Sequence, residues 1–513
     1  MVDEGVTATD EVEMTAFDDD LGVGDAAGPA WRSPVAWVGA ILLFLVASGG
    51  PVFWARAELA DVTVPLVSDI WVQAVLVVAA GLVLAFSGDA LELLRLDKLA
   101  LGSLGAFLVI LLLSAAWSLD GTRTVEQWIL LAFASAAALF GGASLDRGQV
   151  LTALFVAVHI GIAISAFSDL RDWPIAIVGD DLAGVFGSTD LMGMVALLAA
   201  ATTVMLMVVV LRRTPEERLA IAEEKAARGG GGGFRMPSML TINKMRRAAT
   251  MAQRGQPMGG GKSMTPRSPG QAMQYRTMAR GRRRRAGRLA KVRSSALLRL
   301  GITALLVGVL VLDGFLWWRS QSYGALFAVA ATAVVMLVVG LSLPGAGEGG
   351  RRAAAGVVSV LAAAGVVLLI VFRETVADWF DRDGTWSGRT TLWDGVLDVV
   401  GDRPIHGFGF EAGTGVAGFG TRSGFLQVLL AAGAVGLIAL VWLMLLVLRR
   451  AASAAIMRPD PLGVWVVGMA AYGIAANVNE SFVSAWSLPW LLLVFALGHA
   501  VARREARFDD VTL

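Results

Sequence analysis

The side chains best suited to chemistry are concentrated between positions 373 and 427. This stretch is polar, lies between two apolar segments, and is rich in Arg, Asp, Trp and Gly. It also carries His406, one of three histidines in the chain. Guanidinium groups bind phosphate and carboxylate in a two-pronged geometry, and a neutral histidine can accept a proton from a hydroxyl. The residue types therefore indicate anion binding combined with proton transfer.

Arg389 stands near the predicted start of a short helix. Ser387 is a suitable N-cap, apolar residues follow at helical spacing, and Gly401 closes the segment. Trp393, four residues after Arg389, falls on the same face. A helix N-terminus beside an arginine suits an anion, which at a membrane surface would be a lipid phosphate or pyrophosphate. The other reading is structural: Arg389 stacks on Trp393 or pairs with Asp383.

The segment Arg403–Glu411 follows this helix and carries two closely spaced glycines, Gly407 and Gly409. Such glycines indicate that the backbone closely approaches another part of a chain or a ligand. His406 lies between the helix and these glycines and is predicted to be outside the membrane. It is either a general base for a hydroxyl or simply an exposed loop side chain.

No metal and no cofactor is expected. The chain has no cysteine, which excludes disulfides, thiolate nucleophiles and cysteine-ligated metals. The acidic run at 378–383 resembles half of a calcium-binding loop, but Trp379 interrupts the pattern and no closing glutamate follows.

The rest of the chain must position this stretch at a membrane. Of the 513 residues, 56% are hydrophobic, and the mean hydropathy is +0.67. The apolar residues come in blocks of about twenty, the length of a helix that crosses a bilayer. Only helices and closed barrels satisfy their backbone in lipid, and the blocks are too long for barrel strands. The sequence predicts an all-α integral membrane protein with about twelve transmembrane helices, at 34–54, 70–88, 99–117, 124–143, 149–167, 189–211, 296–316, 323–343, 353–372, 424–448, 462–478 and 485–502.

Basic residues predict the orientation of these helices. Arginine pairs follow the sixth, eighth, tenth and twelfth spans, and basic flanks face the cytoplasm. Both termini are therefore expected on the cytoplasmic side of the cytoplasmic (inner) membrane. The resulting segments are an acidic cytoplasmic tail (1–30), helices one to six (31–212), a basic cytoplasmic loop (213–295), helices seven to nine (296–372), a large extracytoplasmic functional loop with short helices (373–423), helices ten to twelve (424–504) and a cytoplasmic tail (505–513).

The basic loop 213–295 is predicted to be a disordered linker. It has a run of five glycines, no acidic residue from 229 to 295, and too few apolar residues to bury a core. Its positive charge either attracts anionic lipid headgroups or an acidic partner, or only anchors the loop in the cytoplasm. Membrane lipids are the expected contact, and no nucleic-acid partner is expected.

Several motifs together resemble the superfamily of O-antigen ligases and O-antigen polymerases (Wzy-type), which are polytopic membrane glycosyltransferases. The family pattern is S-G-R-x3-W, then H-P-x2-G-x-G, then H-N-x-[YF]-L-Q before an apolar span with spaced glycines. The similar stretches here are Ser387-Gly388-Arg389-x3-Trp393, Arg403-Pro404-x2-Gly407-x-Gly409, Gly424-Phe425-Leu426-Gln427, Trp117-Ser118-Leu119-Asp120, Gly184-Val185-Phe186-Gly187, Ser320-Gln321-Ser322-Tyr323 and Asn479-Glu480-Ser481.

The resemblance implies a metal-independent transferase that uses a glycan carried on undecaprenyl pyrophosphate. Such an enzyme joins the glycan to a hydroxyl of a glycan or lipid acceptor outside the cytoplasmic membrane. Cationic groups must stabilise the pyrophosphate as it leaves, and a base must help to deprotonate the acceptor. Arg389 fits the first role by its position in the motif.

The sequence departs from the family at three places that change the candidate site. Arg422 stands where the family has a histidine, and Tyr323 stands where it has an arginine. An arginine cannot act as a base, so Arg422 becomes a candidate for binding phosphate. Arg319, one helical turn before Tyr323, is a candidate replacement for the missing arginine. Ser188-Thr189-Asp190 replaces a basic segment of the family.

Three residues remain as candidate bases: His406, Glu411 and Glu480. The catalytic reading competes with two others. One is a non-catalytic membrane partner or scaffold of polysaccharide assembly, which the missing family residues favour. The other is a transporter of lipid-linked sugars, which would place ionisable residues inside the spans. The predicted spans are nearly free of such residues, which disfavours transport.

Overall fold

The computed structural model describes residues 32–49, 70–87, 97–171, 177–178, 181–186, 188–211, 297–341, 389–410, 421–457, 461–485 and 487–505. The chain divides into two compact units. The smaller unit comprises 1–24 and 210–305, of which only 210–211 and 297–305, all helical, are described. The larger unit, 25–209 and 306–513, holds every contact discussed below.

The described residues form twelve α-helices. Their bounds are α1 Arg32–Ala47, α2 Ile70–Phe86, α3 Lys98–Leu113, α4 Gly121–Ser144, α5 Arg147–Leu170, α6 Thr189–Leu211, α7 Leu297–Ser320, α8 Tyr323–Leu341, α9 Arg389–Gly401, α10 Gly424–Met457, α11 Pro461–Asn479 and α12 Leu488–Glu505. Short 3₁₀ turns lie at Ser114–Trp117 and Gly184–Phe186. The strands are a two-residue antiparallel pair, β1 Ile177–Val178 and β2 Asp181–Leu182. In the described residues the protein is therefore all-helical apart from one small ladder.

Eight of the described helices are long and apolar enough to cross a membrane: α3 with its 3₁₀ turn, α4 to α8, α10 and α11. Three further apolar helices, α1, α2 and α12, are shorter than the eight. The predicted multi-pass helical membrane protein is confirmed at this level. Eight of the twelve predicted spans overlap the helices of span length, three overlap the shorter apolar helices, and the ninth, 353–372, lies outside the described residues. The basic loop 213–295 and the predicted tail 1–30 also lie outside the described residues. Of the predicted tail 505–513, only Glu505 is described.

Aspartate residues are the N-caps of three helices. Asp97, Asp120 and Asp146 each accept a hydrogen bond from a backbone N–H in the first turn of α3, α4 and α5. Such bonds satisfy amides that have no partner inside the helix. Asp120 lies in the short turn that joins α3 to α4, so its side chain begins α4 directly after that turn.

Glycines let the helices of the larger unit pack backbone to backbone. A Cβ added to Gly142 of α4 would lie 2.2 Å from the Phe495 carbonyl oxygen, and one added to Gly498 of α12 would lie 2.1 Å from that of Leu139. Because lipid is as apolar as the helix surfaces, the hydrophobic effect does not drive helices together in a membrane. Small residues let the backbones approach closely enough for van der Waals and weak polar contacts to hold them. Trp490 and Phe495 of α12 are fully buried at the centre of this packing.

Most of the described charged contacts in the larger unit lie near the ends of the helices. At one end, Asp97 beside α3 pairs with Arg450 near the end of α10 at 3.1 Å. Arg147 at the start of α5 donates to His499 near the end of α12 at 2.8 Å. The other end, which we call the site face, carries the starts of α6, α8, α9 and α10 and the ends of α7 and α11.

The helix α10 breaks at Gly433, whose backbone is left-handed with φ 64°. The segment Arg403–Phe410, which we call the clamp loop, fits against this break. The Phe408 amide donates to the Leu430 carbonyl at 2.8 Å, and the Ala434 amide donates to the Pro404 carbonyl at 2.8 Å. The clamp loop therefore supplies backbone partners that the broken helix would otherwise lack.

The helix α9 leads directly into the clamp loop and docks on α10 through one apolar stripe. Val396 and Val400 are buried against Phe408 and Leu430. Because these residues follow helical spacing, the sequence pattern places them on one face. The stripe holds α9 so that its first residue, Arg389, reaches the site face.

Candidate functional site

Three charged side chains meet at the site face. The Arg389 guanidinium donates to the Asp190 carboxylate, with Nη2 2.6 Å from Oδ2, and the same nitrogen lies 3.8 Å from Glu480 Oε1. Arg389 is 6% exposed, Asp190 21% and Glu480 19%. We call these three residues the charge cluster. They come from the starts of α9 and α6 and from the end of α11, so the fold, not sequence proximity, brings them together.

The turn between α7 and α8 holds Asp190 in position. Ser322 Oγ donates to Asp190 Oδ1 at 3.1 Å, while Arg389 binds the other carboxylate oxygen. Gly193, one turn into α6, has no side chain in the way: a Cβ there would lie 2.3 Å from that of Ser322. The close approach of α6 to this turn therefore sets where the carboxylate points.

The start of α10 holds the segment that carries Glu480. Gln427 donates through its amide nitrogen to the Val483 carbonyl at 3.3 Å and accepts from the Val483 amide at 3.2 Å. Gly424 lies against the Asn477 side chain so closely that a Cβ would meet its Oδ1 at 1.9 Å. The two helix ends thus form one rigid support beneath the charge cluster.

Burial raises the pKa of Glu480 from 4.5 to about 7. The neighbouring Asp190 carboxylate also raises it, whereas Arg389, Arg422 and a hydrogen bond with the Ser481 backbone lower it. Loss of hydration dominates because a buried carboxylate has few water partners. Glu480 can therefore gain and lose a proton near neutral pH, which is the property that general-base catalysis requires.

Arg422 is the exposed cation of the site. Its side chain is exposed, and its charge is close enough to lower the pKa of Glu480. Its backbone is left-handed with φ 43°, a conformation that costs energy for a residue with a Cβ. Thr421 holds it there by hydrogen bonding to Ser481 Oγ and to the Ser423 carbonyl.

His406 lies away from the charge cluster. It stands beyond the far end of α9, a helix that is about 18 Å long at 1.5 Å per residue and begins at Arg389. Its carbonyl accepts from Trp117 Nε1 at 2.7 Å, and its ring meets the Trp117 ring edge-on at 5.7 Å between centroids. The side chain is exposed. Its described contacts belong to the clamp loop, so the structure does not bring it to Arg389.

The glycines of the clamp loop do make the close approach that the sequence indicates. Gly407 and Gly409 have left-handed backbones, with φ 66° and 106°. A Cβ on Gly407 would lie 2.5 Å from the Leu430 carbonyl oxygen, and one on Gly409 would lie 2.2 Å from Ser118 Oγ. The partner is this chain's own framework, so these glycines serve packing.

Arg319 reaches the site face but not the charge cluster. Its guanidinium Nη2 lies 3.2 Å from Asp169 Oδ1 at the end of α5, with Arg319 35% exposed. Arg389 and Arg422 both lower the pKa of Glu480, whereas Arg319 pairs with Asp169 instead. Arg319 is left as a neutralised pair beside the site.

Of the remaining candidate residues, two lie outside the described residues and two lie within them. Ser387 and Glu411 lie outside the described residues. Trp393 is half-buried on α9, and Tyr323 is the first residue of α8. The structural reading in which Arg389 pairs with Asp383 concerns a residue outside the described ranges, and the carboxylates that do bind it are Asp190 and Glu480.

The sequence missed the importance of Asp190, Ser322 and Gln427. Asp190 is an acid in the first turn of an otherwise apolar span, which is a usable signal for a charged site. Ser322 and Gln427 stand in two of the motif stretches, but those motifs assign neither residue a role in the site. In the part of the chain that the structure describes, no group of three or more His, Asp or Glu side chains could hold a metal ion.

The fold and this site define a multi-pass helical membrane protein with a buried acid–arginine–acid cluster at one end of its helices. Comparison with known proteins adds no relative: no family model matches the chain, and no curated protein matches it.

Proposed function

We propose that the protein transfers a glycan from an undecaprenyl-pyrophosphate carrier to an acceptor hydroxyl on the outer side of the cytoplasmic membrane. The observation that carries this proposal is Glu480, a largely buried carboxyl with a pKa of about 7 beside one exposed and one buried arginine. A base poised near neutral pH next to a cation is the minimum that such a transfer needs.

The roles of the residues follow from their charge and exposure. Glu480 takes the proton of the acceptor hydroxyl, whose oxygen bonds to the anomeric carbon of the donor. The bond from that carbon to the pyrophosphate oxygen breaks, and Arg422 stabilises the departing anion. Arg389 is already neutralised by Asp190 at 2.6 Å, so it positions Glu480 and tunes its pKa instead of binding the donor.

The location of the cluster supports an outer site. The basic ends of the helices, with Arg147 and Arg450, lie opposite the site face. Basic flanks tend to face the cytoplasm, which supports an outer position for the charge cluster, the side on which the proposed transfer takes place. The amphiphilic carrier would approach from the membrane, and Arg422 stands two residues before the start of α10.

Deleting the gene for this protein tests the proposal. A cell without the transferase is expected to accumulate glycan on the lipid pyrophosphate carrier, measured by mass spectrometry of membrane extracts, and the intact chain should reverse it. A scaffold would be complemented equally well by the Glu480→Gln chain. A transporter would leave the accumulated glycan on the cytoplasmic leaflet, protected from glycosidase added outside. Absence of accumulation would contradict the proposal.

Replacing Arg422 by glycine separates its charge from its backbone strain. Glycine adopts the left-handed conformation freely, so stability is expected to be unchanged or to rise by about 1 kcal/mol. Loss of the cation is expected to lower glycan transfer about 100-fold, the usual effect of removing one group that stabilises an anionic transition state. Initial rates and thermal unfolding of the purified protein in detergent check the two effects.

The matched control for this variant is Arg422→Lys. It keeps the positive charge and the Cβ, so most of the transfer should survive even though the two-pronged geometry of arginine is lost. Equal activity of the glycine and lysine variants would show that Arg422 is not the group that meets the pyrophosphate.

A further inference from the structure

A second polar cluster lies inside the helices of the larger unit. His159 Nε2 is 3.4 Å from Asp313 Oδ2, and Thr203 Oγ1 lies 3.2 Å from that nitrogen and 3.3 Å from that oxygen. These residues belong to α5, α7 and α6. We call them the intramembrane triad. The spans carry few ionisable groups, and the structure brings two of them together.

The triad lies within its helices and not at their ends: Asp313 is about 10 Å from the end of α7 at Ser320, and Thr203 is about 12 Å from the end of α6 at Leu211, at 1.5 Å per residue. His159 is about 18 Å along α5 from Arg147 and about 16 Å from Leu170, at 1.5 Å per residue. All other ionisable residues of α5, α6 and α7 lie near helix ends: Arg147, Asp169, Asp190, Arg299 and Arg319. No third ionisable side chain contacts the triad within the described ranges. An ionisable pair at this depth is costly and marks a functional site by default.

The Asp313 carboxyl is the most confined part of the triad. The residue is fully buried, with 0% of its side chain exposed. Its second oxygen, Oδ1, has no hydrogen-bond partner among the residues that the structure describes. A bare carboxylate in apolar surroundings would carry a large cost, so one more hydrogen-bond donor or a proton at this carboxyl would be stabilising.

The hydrogen-bond donors of the triad leave one position without a hydrogen, between His159 Nε2 and Asp313 Oδ2. His159 Nδ1 lies 2.7 Å from the Phe155 carbonyl, so we assign its hydrogen to that nitrogen. Nε2 of the neutral ring then has only a lone pair. The single hydroxyl hydrogen of Thr203 can serve either Nε2 or the Asp313 oxygen, not both. The contact between Nε2 and Oδ2 is therefore repulsive unless a further proton lies between them.

We propose that His159, Asp313 and Thr203 form an intramembrane site that binds and releases a single proton. Loaded, the triad is neutral overall, with the proton on Oδ2 or shared with Nε2. Unloaded, it carries one negative charge that only the Thr203 hydroxyl and the imidazole dipole can stabilise. The site is independent of the charge cluster and does not depend on the glycan reaction.

Dicyclohexylcarbodiimide, an apolar reagent for protonated carboxyls in membranes, tests the proposal on the full-length purified protein. The carboxyl proton moves to a carbodiimide nitrogen and the carboxylate oxygen bonds to the central carbon, and the adduct then rearranges to a stable N-acylurea. We expect one adduct on the peptide with Asp313, identified by mass spectrometry. Because the reagent needs the carboxyl proton, we expect the yield to fall as the pH is raised.

Variants at the triad sharpen this experiment. The Asp313→Asn variant should lose the adduct. The Asp97→Asn variant, changed at the residue that caps the start of α3, should keep the same yield of adduct. Glutamine in the His159→Gln variant cannot share the proton, so the yield at a given pH should differ from that of the intact protein. Size-exclusion profiles of each variant show that it is folded.

Two results would overturn the proposal. Absence of an Asp313 adduct at every pH would leave the triad as a structural link between helices. Labelling of equal yield at every pH would show a permanently protonated carboxyl. In either case the His159→Gln and Thr203→Val variants would lower the unfolding temperature without changing the labelling of Asp313.

Discussion

Glutamine in place of Glu480 is expected to lower glycan transfer about 1,000-fold, within the range that general-base catalysis supplies. The change keeps the shape of the side chain and removes the group that accepts the acceptor proton. It also removes the pH dependence. With the pKa of Glu480 raised to about 7, the wild-type rate should rise about tenfold per pH unit below pH 7 and level off above it.

The matched control is Glu126→Gln. Glu126 is an exposed glutamate near the start of α4, where it accepts a hydrogen bond from Gln73 at 2.9 Å. Its loss should change the rate less than about twofold, as for other surface positions. Rates of carrier-linked glycan consumption by purified protein, measured across the pH range, give both results. A Glu480→Gln enzyme with the full rate and the same pH profile would exclude Glu480 as the base.

Alanine in place of Arg389 is expected to have the second large effect, again about 1,000-fold on transfer. Removing one partner of a buried ion pair leaves an uncompensated charge and typically costs about 3–5 kcal/mol. Because Arg389 lowers the pKa of Glu480, its loss should raise that pKa further. The base would then be protonated at neutral pH, and the rate profile should move to higher pH.

A double variant separates positioning from folding. Arg389→Ala with Asp190→Asn removes both charges of the 2.6 Å pair and should recover much of the unfolding temperature. The Asp190 carboxylate also raises the pKa of Glu480, so its removal should move the rate profile part of the way back. If the single alanine variant lost stability but kept the wild-type pH profile, Arg389 would be a purely structural residue.

Much of the framework could be predicted from the sequence because lipid imposes strong rules. Apolar blocks of span length, such as those of α6 and α10, leave no alternative to a helix in a membrane. The start and end of α9 were also predictable, since the apolar spacing and Gly401 define them locally. The glycines at 407 and 409 correctly indicated a close backbone approach, although its partner in this chain was not predictable.

The site was only partly predictable, because its members are distant in sequence. Arg389 was found through its motif and its place at a helix start. Its pairing with Asp190 depends on how α6 packs against the turn between α7 and α8, a contact of long range. Likewise, His159 and Asp313 are separated by 154 positions. Local patterns cannot show that two such residues face each other within the membrane.

The clamp loop also sets a limit on what this protein tolerates in engineering and in evolution. The backbone hydrogen bonds of the clamp loop reach residues of α10 on both sides of Gly433, and each bond joins one particular pair of residues. An added or deleted residue between Pro404 and Phe408 would shift that register and leave amides of α10 without partners, each at a cost of about 1–3 kcal/mol. Most surface connections accept insertions readily. This one should reject them, so tags and reporter domains belong elsewhere in the chain.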